Sequence, residues 1–437
     1  MKGIPARLGL NRPELRAWVL YDFANSAFQT TIIAAVFPIY FQRVAAADLP
    51  ANLATSRFAL ATTIAICIVA IVAPILGALA DTRRLKKPLL GIFLGIGAGA
   101  TAAMYGIQEG DWPLALVLFV IGNVGVAGSI VFYESLLPHI ARGDELDRVS
   151  TAGYAIGYLG GGLLLGINLA MIQQPQWFGI PDAGVATRLA FVSVAVWWVV
   201  FSWPLFRGVP EPRVKPAVSV SAGVALAQSV RQLVSTFREL RKYRQALLLL
   251  VAFFLYNDGI QTIIRMAAIY GAEVGIDQAA LIGALLLVQF VGVPCSFAFG
   301  ALAGHIGPKK AVMFGLTAYT GIVMFTYFMT TAREFYILAG AVGMIQGGTQ
   351  GLSRSMFASM IPRHRSSEFF AFFGVFERYA GVLGPAIFAV MAGLGTSRTA
   401  ILTLIPFFVI GMLLLLKVNV AAGRREAAAS EAELARG

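Results

Sequence analysis

Twelve apolar stretches, each close to the length of a bilayer-crossing helix, dominate this 437-residue chain. A spanning helix needs about 20 mostly apolar residues. The stretches cover 17–41, 58–80, 88–107, 114–137, 150–172, 188–206, 245–270, 277–303, 311–331, 335–361, 369–393 and 399–416, here called spans 1 to 12. A water-soluble alternative fails on supply. Only 13% of residues are charged against 58% hydrophobic, whereas globular chains carry about 25% charged residues. The same shortage excludes disorder. Span 1 is too long and too polar for a signal peptide, so all twelve are expected to persist in the mature chain. Two cysteines and three histidines leave no disulfide framework and no zinc spacing. No metal or other cofactor is expected.

The net charge of +12 raises the question of nucleic acid. The basic residues form short clusters between apolar runs and no continuous patch, so membrane orientation accounts for them and nucleic acid is not an expected partner. With the N-terminus placed in the cytoplasm, 26 of the 34 Lys and Arg fall on that side, 5 lie outside and 3 lie within spans. That asymmetry predicts both termini inside and an even number of spans. The expected division is a cytoplasmic tail over 1–16, a six-helix bundle over 17–206, a cytoplasmic linker over 207–244, a second six-helix bundle over 245–416 and a tail over 417–437. In the linker Leu226, Val230, Leu233, Phe237 and Leu240 form one helical stripe, with Arg231, Arg238, Arg241, Lys242 and Arg244 around it. That pattern predicts an amphipathic helix on the cytoplasmic leaflet.

The two halves repeat. The segment GALADTRRLKK at 77–87 returns as GALAGHIGPKK at 300–310, and SLLPH from Ser135 returns as SMIPR from Ser359. Spans 1 and 7 share Leu-Tyr, an acid, and Gln-Thr before an Ile-rich run. Three matches in the same order indicate duplication. Parallel repeats are a transporter architecture that holds solute near mid-bilayer between the halves. A monomer is expected.

Charge inside hydrocarbon costs about 2.5–3.5 kcal/mol per central residue. Asp22, Glu134, Asp258, Arg265, Arg354, Glu377 and Arg378 lie in or near spans, and facing lipid they would cost on the order of 20 kcal/mol together. They are therefore expected to face the interior. Asp22, Asn25 and Gln29 share one face of span 1 at spacings 0, 3 and 7. Asp258, Gln261 and Arg265 repeat those spacings on span 7. Gln346, Gln350 and Arg354 form a stripe on span 10. The chemistry expected is solute binding by Asn25, Gln29, Gln261, Arg265, Gln346, Gln350 and Arg354, and proton or cation coupling by Asp22 and Asp258. Glu134, Glu377 and Arg378 are candidate cavity residues. The plain structural alternative is ion pairs that glue helices together. Glycines 153, 157, 160, 161 and 162 on span 5, and Gly374, Gly381 and Gly384 ahead of Pro385 on span 11, predict close helix packing.

At GALADTRRLKK the chain resembles the major facilitator superfamily. Gly77, Asp81 and Lys86 match its motif, with Arg83 in the basic cluster, while Gly304 replaces the acid in the second copy. The resemblance implies that Asp81 locks a cytoplasmic gate by facing a helix N-terminus. AWVLYDFANSAFQTTIIAAVFPIYF, RVSTAGYAIGYLGGG, FFLYNDGIQT and GGTQGLSRSMFASMIPRHRSSEFFAFFGVFERYAGVLGP are similar to the vacuole-effluxer-like group of that superfamily. Asp22, Asn25, Asp258, Arg354 and Arg378 sit on its motif positions. The resemblance implies a twelve-helix, all-α facilitator fold and alternating access. It further implies an amino acid or related metabolite as solute, since the group's fungal members are autophagy-linked vacuolar amino-acid exporters. The expected location is a bacterial inner membrane. A transport-inactive receptor or scaffold of the same fold is the alternative. A membrane-embedded enzyme is disfavoured, because His139, His305 and His364 all fall at cytoplasmic ends.

Overall fold

The computed structural model describes residues 10–82, 85–141, 146–211, 231, 235, 237–362 and 366–434. Every regular element among the described residues is helical. Span 1 is α1 (Pro13–Ala27), a π-helical stretch (Phe28–Ala35), α2 (Val36–Tyr40) and a second π-helical turn (Phe41–Ala45). Spans 2 to 6 are α3 (Ala51–Thr82), α4 (Lys86–Ala103), α5 (Trp112–Ile140), α6 (Leu146–Gln173) and α7 (Ala183–Gly208). Spans 7 to 10 are α8 (Arg244–Glu273), α9 (Gln278–Ile306), α10 (Pro308–Phe328) and α11 (Ala332–Ser359). Span 11 is broken into α12 (Ser366–Tyr379) and α13 (Leu383–Leu394), and span 12 into α14 (Ser397–Leu402) and α15 (Ile405–Lys417). Among the described residues eight helices are long and apolar enough to cross a membrane, and two shorter apolar stretches, Gln278–Gly292 and Leu383–Leu394, accompany them.

Local chemistry explains the ends and the breaks. Pro38 in α2 has no N–H and crowds the carbonyl one turn upstream. The widened π turns around it absorb that loss. Asp182 starts α7 by accepting the Val185 N–H at 2.8 Å, and Thr331 with Glu334 closes a capping box on α11. The backbone N–H groups of Thr330 and Thr331 hold the Glu334 carboxyl below its ordinary range. Span 11 breaks because Gly381 takes φ +98° and Pro385 follows in the first turn of α13, where its missing N–H costs nothing.

The chain divides into two compact units. The first comprises Met1–Ala54, Ile64–Ser229 and Leu281–Leu286; the second comprises Thr55–Thr63, Val230–Ala280 and Leu287–Gly437. Within the first, α4 packs on α5 and α7, and α1 packs on α6 and α7. Gly97 and Gly125 bring α4 and α5 into backbone contact, and the Trp198 indole covers Gly97. Within the second, α10 packs on α11 and α15, and α8 packs on α11, α13 and α15. The Tyr319 and Phe408 rings stack there at 5.2 Å. The same pairs of spans pack in both units, as a duplicated chain requires.

One detail shows the duplication at atomic level. Lys87 Nζ donates to the carbonyls of Phe206 and Val209, both at 2.7 Å, at the end of α7. Lys309 Nζ donates to Leu416 and Val418, both at 2.8 Å, at the end of α15. Each lysine is the second residue of its helix, and each satisfies carbonyls that a helix C-terminus leaves unpaired. The 223-residue offset pairs Lys86 with Lys309 instead; the role follows helical position, one residue later in the first copy. Glu211 completes the first site by accepting the N–H groups of Lys86 at 2.8 Å and Lys87 at 3.0 Å, a two-oxygen cap on α4. Glu211→Ala should lower stability by about 1 kcal/mol, read as a reduced Tm of the purified full chain. An unchanged Tm would show that the cap carries no weight.

Residues 417–437, expected as a cytoplasmic tail, contain a helix: α16 (Val420–Leu434) docks on α8 and α11. Asn419 caps it, Arg424 Nε donates to Ser359 Oγ at 3.3 Å, and the Tyr243 and Ser430 hydroxyls meet at 2.9 Å. Its alternation of alanine with charge gave no apolar run to find. Spans 11 and 12, each read as one helix, are each two, span 11 for the reason given above. The amphipathic linker helix falls largely outside the described residues.

Candidate functional site

In the first unit α1 carries Asp22 into an aromatic nest. Tyr133 on α5 donates its hydroxyl to Asp22 Oδ2 at 2.8 Å, and Asn25 Nδ2 reaches Oδ1 at 3.4 Å. Trp18 stacks on Tyr133 at 4.3 Å and donates its indole N–H to the Tyr133 carbonyl, while Tyr21 stacks on the same ring at 4.6 Å. Gly153 and Gly157 on α6 make the room: a Cβ at either would press on Asp22 or Ser26. No cation bridges Asp22 among the described residues. Gln29 is half-buried and lies at the start of the π stretch, one residue beyond Phe28. Glu134 is exposed beside Tyr133.

The second unit holds the denser arrangement. Asp258 on α8 is fully buried. Its carboxylate accepts the Gly384 N–H at 2.7 Å and the Leu383 N–H at 3.1 Å, the first amides of α13. A buried carboxylate thus caps the helix that restarts after the break, where the positive end of a helix favours an anion. Thr262, one turn along, donates to the Asp258 carbonyl at 2.7 Å and faces Gly384.

A second stripe runs beside the first on α8. Asn257, Gln261 and Arg265 follow one another at four-residue spacing, hence on one face. Asn257 Oδ1 accepts Gln350 Nε2 of α11 at 2.9 Å, joining the stripe on α8 to the stripe on α11. Gln346, one turn from Gln350, is half-buried, and Arg354 is exposed within electrostatic reach of Glu377 on α12. Nε and Nη1 of Arg265 are buried without a hydrogen-bond partner, as is Nδ2 of Asn257. Tyr256 and Ser353 share a hydroxyl–hydroxyl bond at the same helix pair.

The structure therefore brings Gln261, Arg265, Gln346, Gln350 and Arg354 onto two contacting helices, with Asp258 two turns before Arg265 on the same side of α8. Asn257 and Tyr133 are additions. Asn257 was findable, standing four and eight residues before Gln261 and Arg265; Tyr133 carried no signal in a run of aromatics. Gly77 and Asp81 lie in α3, whose side chains there are outside the described residues, as are Arg83 and the side chain of Arg378. Lys86 is buried and turns its Nζ to the Ser135 carbonyl at 3.3 Å and to His139 Nε2 at 3.1 Å. No group of His, Cys, Asp or Glu among the described residues has a metal-holding arrangement.

The sequence matches the family described as "Vacuole effluxer Atg22 like" over residues 48–428. The chain belongs to that family. The MFS-type transporter YxiO of Bacillus subtilis (strain 168) is 36% identical over 406 residues, covering 91% of this chain and 93% of that protein. Among solved structures, the nucleoside transporter NupG superposes with a TM-score of 0.66 at 12% identity, over 93% of this chain and 100% of the other. A D-xylose-proton symporter superposes with 0.65 at 14% identity, over 93% and 97%. The fold is that of the major facilitator superfamily, and the chain is an integral, multi-pass membrane transporter of this family, not an enzyme.

Proposed function

We propose that this family member moves a small polar solute, an amino acid or related metabolite, by proton-coupled alternating access across a bacterial inner membrane. In this reading the chain crosses the bilayer twelve times with both termini in the cytoplasm, and it works as a monomer. The observation that carries the reading is the cross-linked polar face of α8 and α11. Asn257 bonded to Gln350 at 2.9 Å, with Gln261, Gln346 and Arg265 on the same stripes, sets hydrogen-bonding groups in a helix otherwise apolar enough to cross a membrane. Polar groups at such depth are costly, and solute pathways are where they persist. Arg354 belongs to the proposed binding set of the second unit, and Asn25 and Gln29 are the proposed binding residues of the first.

Coupling is assigned to Asp258, with Asp22 in a second, gating position. The proton carried by Asp258 would come and go at a carboxylate that also caps α13, so protonation and the state of the helix break are linked through one side chain. Counterflow in proteoliposomes of the full chain tests the transport reading. Vesicles loaded with unlabelled solute should transiently concentrate the labelled form, and Gln350→Ala should reduce that overshoot by about tenfold, the worth of one hydrogen-bonded contact near 1.4 kcal/mol. No overshoot across amino acids, sugars and nucleosides would turn the reading toward a receptor or scaffold.

A further inference from the structure

Arg265 is a half-buried cation of α8 that no acid among the described residues pairs with. Its Nε and Nη1 are buried and without partners. Asp258, two turns earlier on the same side of α8, has both oxygens committed to amides of α13. Arg354, the other arginine of this helix pair, differs in being exposed and in having the Glu377 charge at hand. Asn257 adds an unpartnered buried Nδ2 on the same stripe as Arg265. The unmet groups on this face are thus all donors.

Resting on the transporter reading above, we infer that the solute is a singly charged carboxylate, and that Arg265 receives it through the guanidinium edge carrying Nε and Nη1. A guanidinium meets a carboxylate through two parallel N–H···O bonds, which supplies direction as well as charge. One carboxylate cancels one guanidinium, so that pair is neutral. A phosphate dianion would leave a net negative charge at the same depth. Helical side chains tilt toward the helix N-terminus, so Arg265 leans along its stripe toward Gln261. Asn257, about 12 Å further along the axis, is placed for a polar group at the other end of the solute. Arg354 is left to the Glu377 side of α11 and is not the anion receptor.

A buried charge lacking its partner is a stability cost, so the empty site and the filled site give opposite signs on substitution. The test uses the purified full chain, with Tm as readout and lactate/lactamide, benzoate/benzamide and leucine/leucinamide as matched pairs, and inorganic phosphate as a further arm. The expected result has three parts. Arg265→Met raises the ligand-free Tm by at least about 2 °C. At least one carboxylate, and not its amide, raises the Tm of the unsubstituted protein, and Arg265→Met loses that rise. Arg265→Lys retains the charge but not the fork and binds at least about tenfold more weakly. A lower ligand-free Tm in Arg265→Met would show a structurally paired arginine and overturn the inference. So would equal stabilisation by acid and amide, a preference for phosphate, or no response to any carboxylate. Counterflow of a neutral solute undiminished by Arg265→Met would overturn the anion site while leaving the transporter reading intact.

Discussion

Asp258→Asn is expected to abolish pH-gradient-driven accumulation in proteoliposomes while one-for-one exchange continues. Under a gradient of about two pH units, one coupled proton supports about 100-fold accumulation, since each unit is worth about 1.4 kcal/mol. The variant should level off at the external concentration. The cause lies in the two amides that Asp258 accepts, from Gly384 at 2.7 Å and Leu383 at 3.1 Å. A proton arriving on this carboxylate removes the anion that the start of α13 favours and occupies an acceptor position. Asparagine keeps one acceptor oxygen and cannot titrate, so the cap survives in part and the coupling does not. Asp258→Ala removes the cap as well and should cost about 1–2 kcal/mol of stability, with exchange lost too. Undiminished gradient dependence in Asp258→Asn would take this residue out of the coupling step.

Gly125→Ala should be among the most damaging single-methyl additions in the first unit, at about 3 kcal/mol. A Cβ on Gly125 would lie 2.6 Å from the Gly97 nitrogen and 2.9 Å from the Phe93 carbonyl oxygen. Backbone atoms cannot rotate away as a side chain can; α4 and α5 must separate, and the Trp198 packing over Gly97 is lost with them. In membranes, helix association rests on such close approach because lipid supplies no hydrophobic drive between helices. Gly95→Ala and Gly162→Ala are the controls. Nothing lies within 4 Å of a Cβ at either, and alanine is favoured over glycine inside a helix by about 0.5–1 kcal/mol. Their Tm should hold or rise, where that of Gly125→Ala falls. Equal behaviour of the three would remove the α4–α5 contact from the account.

How much of this was legible depends on the range of each determinant. Eight of the spans were legible because hydropathy over about 20 residues needs no tertiary information. The stripe of Gln346, Gln350 and Arg354 was legible because α11 is a regular helix through all three. The π stretch that begins at Phe28, within the stripe of Asp22, Asn25 and Gln29, was not legible, because no local pattern marks it. Gly381, Gly384 and Pro385 were visible as a glycine-rich run, but their sequence alone did not show that Asp258, 126 residues before Gly384, would cap the restarted helix. Glu211 is the same kind of case, an acid in a linker whose partner amides belong to a helix start far back in the chain. Local periodicity finds faces; a hydrogen bond between distant segments is decided only by packing.

The central claim is that the polar face of α8 lies on a water-filled solute path and not in hydrocarbon. The most direct measurement places one cysteine at Gln261 in the full chain, with Cys67 and Cys295 replaced by alanine, and a control cysteine at Leu413 of α15. Membranes are treated with an impermeant thiol reagent from each side. The account predicts that the thiol at 261 reacts from both sides, at least about tenfold faster than at 413, with transported solute protecting it. A thiol at 261 as slow as the one at 413 from either side would contradict it.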